Sequence, residues 1–345
     1  MKKIIAIFLC CALTLALTGC AGTTVVVGNC TCPPESHQQA ETPAVTPAEG
    51  ALKTGLAIVT NSGNSIAATA EANGKAEYDV TVVAVTVDEK GVIASCVIDS
   101  LGASAEFDAS GLPVSEGTAE LMTKNELGFD YGMVKASPIG KEWFEQAAAL
   151  AKFAEGKTME EVKRGYSSDV DLATSATVYL GGYVDAMEKA VANAKNLGAE
   201  AGDELKLAVI ATLQASAGQE SGGAAILNLD AVALTMADGI ITSGQIDSLQ
   251  AEVAFDGTGV ITSDLSAPKT KNELGFDYGM AKISPIGKEW FEQAEYFCRY
   301  IVGKTPAEVA GIAVTETTAT TDVDLATGCT IGIGGFQTLI AKAAG

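Results

Sequence analysis

The chain has 345 residues, with 22 Lys and Arg against 43 Asp and Glu for a formal net charge of −21, and one histidine. That balance repels nucleic acid and other acidic polymers and supplies no basic stripe to hold them. The histidine is His37, close to the N-terminus, so Ser-His-Asp and Cys-His catalysis and the common His-based zinc sites are excluded from the residues beyond it.

Lys2 and Lys3 precede an apolar run, IIAIFLCCALTLAL, and Leu17-Thr18-Gly19-Cys20 closes it. This pattern predicts a lipoprotein signal over residues 1–20 and a mature chain that begins at a lipidated Cys20. The acyl chains would anchor the protein on the extracytoplasmic face of the cell membrane without spanning it, and no later apolar run is long enough to cross a bilayer. Residues 21–50 are rich in Thr, Pro, Ala and Gly and read as a flexible tether. The tether carries Cys30, Cys32 and His37 but no second pair of ligands, so it reads as a spacer rather than a metal site. Cys96, Cys298 and Cys329 lie beyond it, an odd number that argues against a disulfide framework.

Residues 123–147 recur as 270–294, with only Val134/Ala281 and Ala136/Ile283 differing. Upstream, residues 91–111 align with 239–259 and share Asp99/Asp247, Leu101/Leu249 and Phe107/Phe255. The chain is a tandem duplication, with repeats expected over 51–199 and 204–345. In repeat one, YDVTVVAVTVDEKGVIASCVID alternates apolar and polar residues about a DEKG turn, which predicts a β-hairpin. A third strand is expected at AEFD, and at VAFD in the second copy. Ser137 and Ser284, each followed by proline, are expected N-caps of a helix that buries Trp143/Trp290, Phe144/Phe291 and Ala147/Ala294. Thr158 to Glu161 and Thr305 to Glu308 read as capping boxes of a short helix, and a last helix closes each copy. The expected fold class is α+β: two tandem repeats, each an antiparallel sheet packed with a few helices.

Between the short helix and the last one lie Asp171-Leu-Ala-Thr174-Ser175-Ala-Thr177 and Asp324-Leu-Ala-Thr327-Gly328-Cys-Thr330. Here the chain resembles the FMN-binding domain family, which includes flavin-bearing subunits of sodium-pumping quinone reductases and Rnf-type complexes and flavinylated extracellular lipoproteins. In that family a separate flavin transferase joins FMN to the last Thr of such a motif through a phosphoester. The resemblance implies Thr177 and Thr330 as attachment points, Asp171 and Asp324 as orienting acids, and Thr174 and Thr327 as accompanying hydroxyls. Ser175 stands where the motif has Gly, which the second copy keeps as Gly328, and Cys329 stands where it has Ala. The similarity extends from Glu126-Leu-Gly128 through Trp143-Phe-Glu-Gln146 to Gly156-Lys157, with Glu273, Trp290, Gln293 and Lys304 as counterparts. It implies a lipid-anchored carrier that passes electrons from a membrane-bound donor to an extracellular acceptor, rather than a turnover enzyme.

The residues alone leave alternatives open. An Asp followed by Thr, Ser and Gly before a helix is also what a turn and an N-cap look like. Tyr131, Tyr278, Phe129 and Phe276 sit in a Gly-punctuated segment suited to covering a ring, whereas helical spacing explains Trp143 and Trp290 as core. Lys124, Asn125, Glu126 and their partners Lys271, Asn272, Glu273 either line the site or cap a turn. A second reading is a non-enzymatic ligand-binding or surface-interaction lipoprotein that uses the fold without covalent flavin. A third is non-covalent flavin in the same place.

Overall fold

A computed structural model describes residues 50–218, 221–266 and 268–345; the signal, Cys20 and residues 21–49 lie outside the described residues. Repeat one contributes β1 (Lys53–Asn61), β2 (Gly74–Val87), β3 (Ile93–Phe107) and β4 (Gly117–Leu121), then α1 (Lys124–Leu127), α2 (Trp143–Ala154), α3 (Met159–Gly165), α4 (Val170–Ala173) and α5 (Gly181–Ala192). Repeat two contributes β5 (Glu204–Ala217), β6 (Gly223–Ala237) and β7 (Ile240–Phe255), then α6 (Lys271–Leu274), α7 (Trp290–Ile301), α8 (Pro306–Ala310), α9 (Val323–Ala326) and α10 (Gly334–Ala344). The fold is α+β, built on two antiparallel sheets in the orders β1-β2-β3 and β4-β5-β6-β7.

Two-residue periodicity on these strands feeds two cores at once. On β2, Tyr78, Val80, Val82 and Ala84 point toward the other sheet, while Val83, Val85 and Val87 point toward α2 and α5. On β6, Leu227, Leu229 and Ala231 face inward, and Val232 and Leu234 meet the helices of repeat two. The result is four layers, helix, sheet, sheet, helix, with one central core drawn from both repeats. Phe107 and Phe255, equivalent residues at the ends of β3 and β7, stack across the seam with ring centroids 3.9 Å apart. The buried Tyr78 hydroxyl crosses it to donate to the Ala225 carbonyl at 2.6 Å.

Strand exchange ties the repeats further. β4 comes from repeat one yet pairs with β5, from Gly117 opposite Ala215 to Leu121 opposite Ala211. Lys342 of α10 pairs with Glu126 at 2.5 Å, and Lys189 of α5 pairs with Glu273 at 2.8 Å, so matching ion pairs cross the seam in both directions. Among the described residues no helix is long and apolar enough to cross a membrane, and Cys96, Cys298 and Cys329 are buried free thiols.

Two local expectations are corrected. AEFD and VAFD are not separate strands but the ends of β3 and β7, which run on because Leu101, Ala103 and Phe107, and their counterparts, continue the inward stripe. Ser137 and Ser284 are not N-caps. Helices α2 and α7 start five residues later, with Glu142 and Glu289 capping in reciprocal boxes with Glu145 and Glu292. The capping boxes at Thr158 and Thr305 form as the spacing predicts.

Candidate functional site

Each Asp-Leu-Ala-Thr segment folds as a single helical turn followed by a loop. Asp169 caps α4 by accepting from the Leu172 amide at 2.8 Å, and Asp322 caps α9 through Leu325 at 2.9 Å. Asp-Val-Asp-Leu-Ala-Thr is identical in the two copies, although the flanking sequences have diverged. The cap and the buried Leu172 and Leu325 account for two of these six positions. Val170 and Val323 are 75% and 79% exposed, and Asp171 and Asp324 face solvent, so their retention has no packing reason. The Thr174 hydroxyl donates to the Asp171 carbonyl at 2.9 Å and Thr327 to the Asp324 carbonyl at 2.7 Å. These contacts join each Asp and Thr through main chain, while the carboxylates themselves point outward.

The last threonine of each motif is held by a residue of the duplicated block. Gln146 on α2 is fully buried, and its Oε1 accepts from the Thr177 amide at 2.7 Å, the Thr177 hydroxyl at 3.2 Å and the Val178 amide at 3.2 Å. Its Nε2 donates to the Ser137 hydroxyl at 3.2 Å and the Lys141 carbonyl at 3.1 Å. Gln293 repeats this with Thr330 (amide 2.8 Å, hydroxyl 3.1 Å), Ser284 and Lys288. A buried amide side chain must satisfy both its oxygen and its nitrogen, and here both ends are occupied. Ser137 and Ser284 therefore position the glutamine rather than start a helix. Glu142, also fully buried, accepts from the Met133 and Val134 amides, each at 2.9 Å, and so fixes the preceding loop to the head of α2.

Other predicted residues are placed elsewhere around this loop. The Glu126 carboxylate accepts from the Thr123 amide at 2.9 Å and pairs with Lys342, and Glu273 does the same with Thr270 and Lys189, so both act at the seam between repeats. Lys124 lies over the rings of Tyr131 and Trp143 at 5.3 and 5.1 Å, and Lys271 over Tyr278 and Trp290 at 5.6 and 4.9 Å. Burial holds the Lys124 ammonium below its ordinary range, against the opposing pull of Asp79 and Asp99. Trp143 donates to the Tyr183 hydroxyl of α5 at 3.0 Å, which ties this cluster to the helix that follows Thr177. Phe129 and Phe276 are exposed and rest edge-on against Phe144 and Phe291, each pair 5.3 Å apart.

Asp99 and Asp247, shared by both repeats, anchor the block to the sheet: Asp247 accepts from the Ser248 and Asn272 amides at 2.8 and 3.1 Å. Burial raises the Asp247 carboxyl to about 6, opposed by its hydrogen bonds with Thr270, Asn272 and Ser248. Its folded pKa then exceeds its unfolded value, so the native state binds the extra proton between about pH 4 and 6, and this group's contribution to stability falls as pH rises through that window. Asp247→Asn is expected to gain about 1–3 kcal/mol on the wild type between pH 4 and 7. Denaturant melts at several pH values measure this, and parallel pH profiles for the two proteins would contradict it.

A cleft of about 370 Å³ flanks the α4 turn that precedes Thr177, lined by Ala149, Lys152, Lys157, Asp171 and Ser175 among others. That size lies within the usual range for small-molecule sites. Thr177 is exposed, Tyr179 two residues on is 86% exposed, and Gly181 and Gly182 open α5 with first-turn amides that have no partner one turn back. An esterified phosphate is compatible with these features: the Thr177 hydroxyl is reachable, the start of α5 follows four residues on, and the cleft with its two lysines comes as close as Ser175. Among the described residues no group of His, Cys, Asp and Glu side chains could hold a metal ion. No family model, no curated protein and no solved structure matches the chain, so the meaning of the site rests on its own residues.

Proposed function

We propose that the protein is a lipid-anchored, extracytoplasmic electron-transfer flavoprotein that carries FMN on threonine in one or both repeats. The observation that carries this reading is the pairing of a threonine hydroxyl with a buried glutamine, twice, three residues beyond an identical six-residue segment whose exposed positions are kept without a packing reason. Thr177 Oγ1 would bond to the FMN phosphorus of a flavin dinucleotide donor, supplied with its transferase. The phosphoanhydride breaks, adenylate leaves, and the hydroxyl proton passes to the transferase or solvent. Gln146 then keeps the Thr177 and Val178 amides in place, and the first-turn amides of α5 favour the nearby anion. When bound, the flavin supplies one- or two-electron transfer, and the protein contributes position, electrostatics and access. Lipidation at Cys20 would hold the carrier near a membrane-bound donor while its surface faces an extracellular acceptor.

The test is production of the mature chain with and without a flavin transferase, followed by in-gel fluorescence after denaturation and intact-mass measurement. Covalent flavin is expected only with the transferase. A Thr177→Val, Thr330→Val double variant should lose all of it while changing stability by about 1 kcal/mol or less, since both hydroxyls lie near the surface. A colourless, unmodified wild type would sink the proposal. It would favour the second reading, a surface-interaction lipoprotein, for which the exposed Phe129 and Phe276 offer a contact face.

A further inference from the structure

The two acceptor loops are held alike by glutamine, but their surroundings differ. Position 149 on α2 is Ala, and its side chain lines the cleft beside Ser175. The equivalent position on α7, three residues beyond Gln293, is Tyr296. The Tyr296 hydroxyl lies 2.9 Å from Thr327 Oγ1 and donates to the Asp324 carbonyl at 3.3 Å. Its ring covers Gly328 so closely that a Cβ there would stand 2.3 Å from ring carbons. Ser in place of Gly328 would collide with the ring, and Ser175 is tolerated in repeat one because Ala149 leaves the space open. The Ser175/Gly328 difference in the motif and the Ala149/Tyr296 difference on the helix beside it thus fit one another.

Repeat two also carries a hairpin that repeat one lacks. Val314 bridges Thr320, the Thr315 amide donates to the Ala319 carbonyl at 2.8 Å, and Thr318 sits at φ 62. The tip reaches the second loop, where the Ile333 amide donates to the Thr318 carbonyl at 2.8 Å and Ala319 bridges Gly332. The Thr318 side chain covers the start of α10, where a Cβ on Gly334 would meet its methyl at 2.9 Å. In repeat one the equivalent Gly181 is covered by a single side chain from its own loop, the 86% exposed Tyr179, whose hydroxyl a Cβ there would meet at 2.8 Å, and no hairpin reaches it. Thr177 is exposed, Thr330 only partly so, and Cys329 beside it is fully buried.

We infer that repeat one is the preferred flavin-accepting site and that Tyr296, with Gly328 beneath it, is the residue that closes repeat two. This rests on the flavinylation reading above. A transferase must draw the acceptor hydroxyl into its own cleft. The first loop can yield by giving up its glutamine contacts, whereas the second must also release the tyrosine and the Thr318 hairpin.

The experiment is a time course of the full mature protein with a flavin transferase and flavin dinucleotide, read by peptide mass. Label is expected on Thr177 about tenfold faster than on Thr330. Tyr296→Ala should bring Thr330 toward the rate of Thr177, and Ala149→Tyr combined with Ser175→Gly should slow Thr177. Equal rates in the wild type, or rates unmoved by these variants, would overturn the inference. If neither threonine is labelled, the flavinylation reading fails on its own, and amide exchange of the unmodified protein decides the rest. Residues 328–332 should then exchange more slowly than 175–179 and lose that protection in Tyr296→Ala; equal protection overturns the closure.

Discussion

Gln146→Leu is expected to destabilise the protein by about 2–4 kcal/mol and to free the loop that carries Thr177. The side chain is fully buried and joins five polar groups, three on the Thr177 loop and two on the segment before α2. Leucine nearly matches its volume but satisfies none of them. Removing one partner of a buried hydrogen bond costs about 1–3 kcal/mol, and the exposed loop can recover part of this by turning its amides to water. The loss should appear as a lower denaturation midpoint and faster exchange of the Thr177 and Val178 amides, beyond the uniform acceleration that lower global stability gives the sheet amides. Gln146→Glu separates hydrogen bonding from shape. A carboxylate still accepts from Thr177 but meets the Lys141 carbonyl with no proton to donate. Burial would raise its pKa, so the variant should be weakest near neutral pH and recover as pH falls through the raised value. A leucine variant as stable as the wild type, with unchanged loop exchange, would remove Gln146 from the site.

Parts of this arrangement were legible in the sequence because their signals are local. The β2–β3 hairpin shows in the alternation on either side of Asp88 to Gly91, and the boxes at Thr158 and Thr305 show in a three-residue spacing. The Asp171-Leu-Ala-Thr174 segment stands out because duplication supplies a comparison within one chain, whereas the Asp169 and Asp322 caps just before it show only in the fold. What was missed depends on distance along the chain. β4 is exposed at four of its five residues and has no stripe of its own to reveal it; its partner β5 lies in the other repeat. The Gln146–Thr177 contact spans 31 residues, and no pattern of spacing announces it. Ser137-Pro138 satisfies the local rule for a helix start, but the fold spends that serine on the glutamine and gives the cap to Glu142. Tyr296 gave a weaker signal: it breaks the match between the copies at a helical position, and its meaning appears only when Gly328 is seen beneath it.

Residues 50–202 and 203–345, produced separately, are each expected to fail as folded monomers. The inner face of the first sheet presents Leu56, Ile58, Tyr78, Val80, Val82, Leu101 and Phe107, all nearly fully buried against the second sheet. Burying one such side chain contributes about 1.5–3 kcal/mol. Seven left in water cost more than ~10 kcal/mol, comparable to the whole net stability of an ordinary domain. The second half would also lose β4 and expose the edge of β5, and each half would leave one seam Lys and one seam Glu unpaired. Because the two sheets are related by duplication, self-association of either half is the expected escape, since a second copy offers a similar apolar face. Circular dichroism and size-exclusion chromatography of each half alone, and of the two co-expressed, make the test. Co-expression should restore a one-to-one complex with the melting behaviour of the intact chain. A half that stays monomeric and unfolds cooperatively by itself would show that the shared core is dispensable, and that each repeat holds its glutamine-bound threonine loop independently of the other.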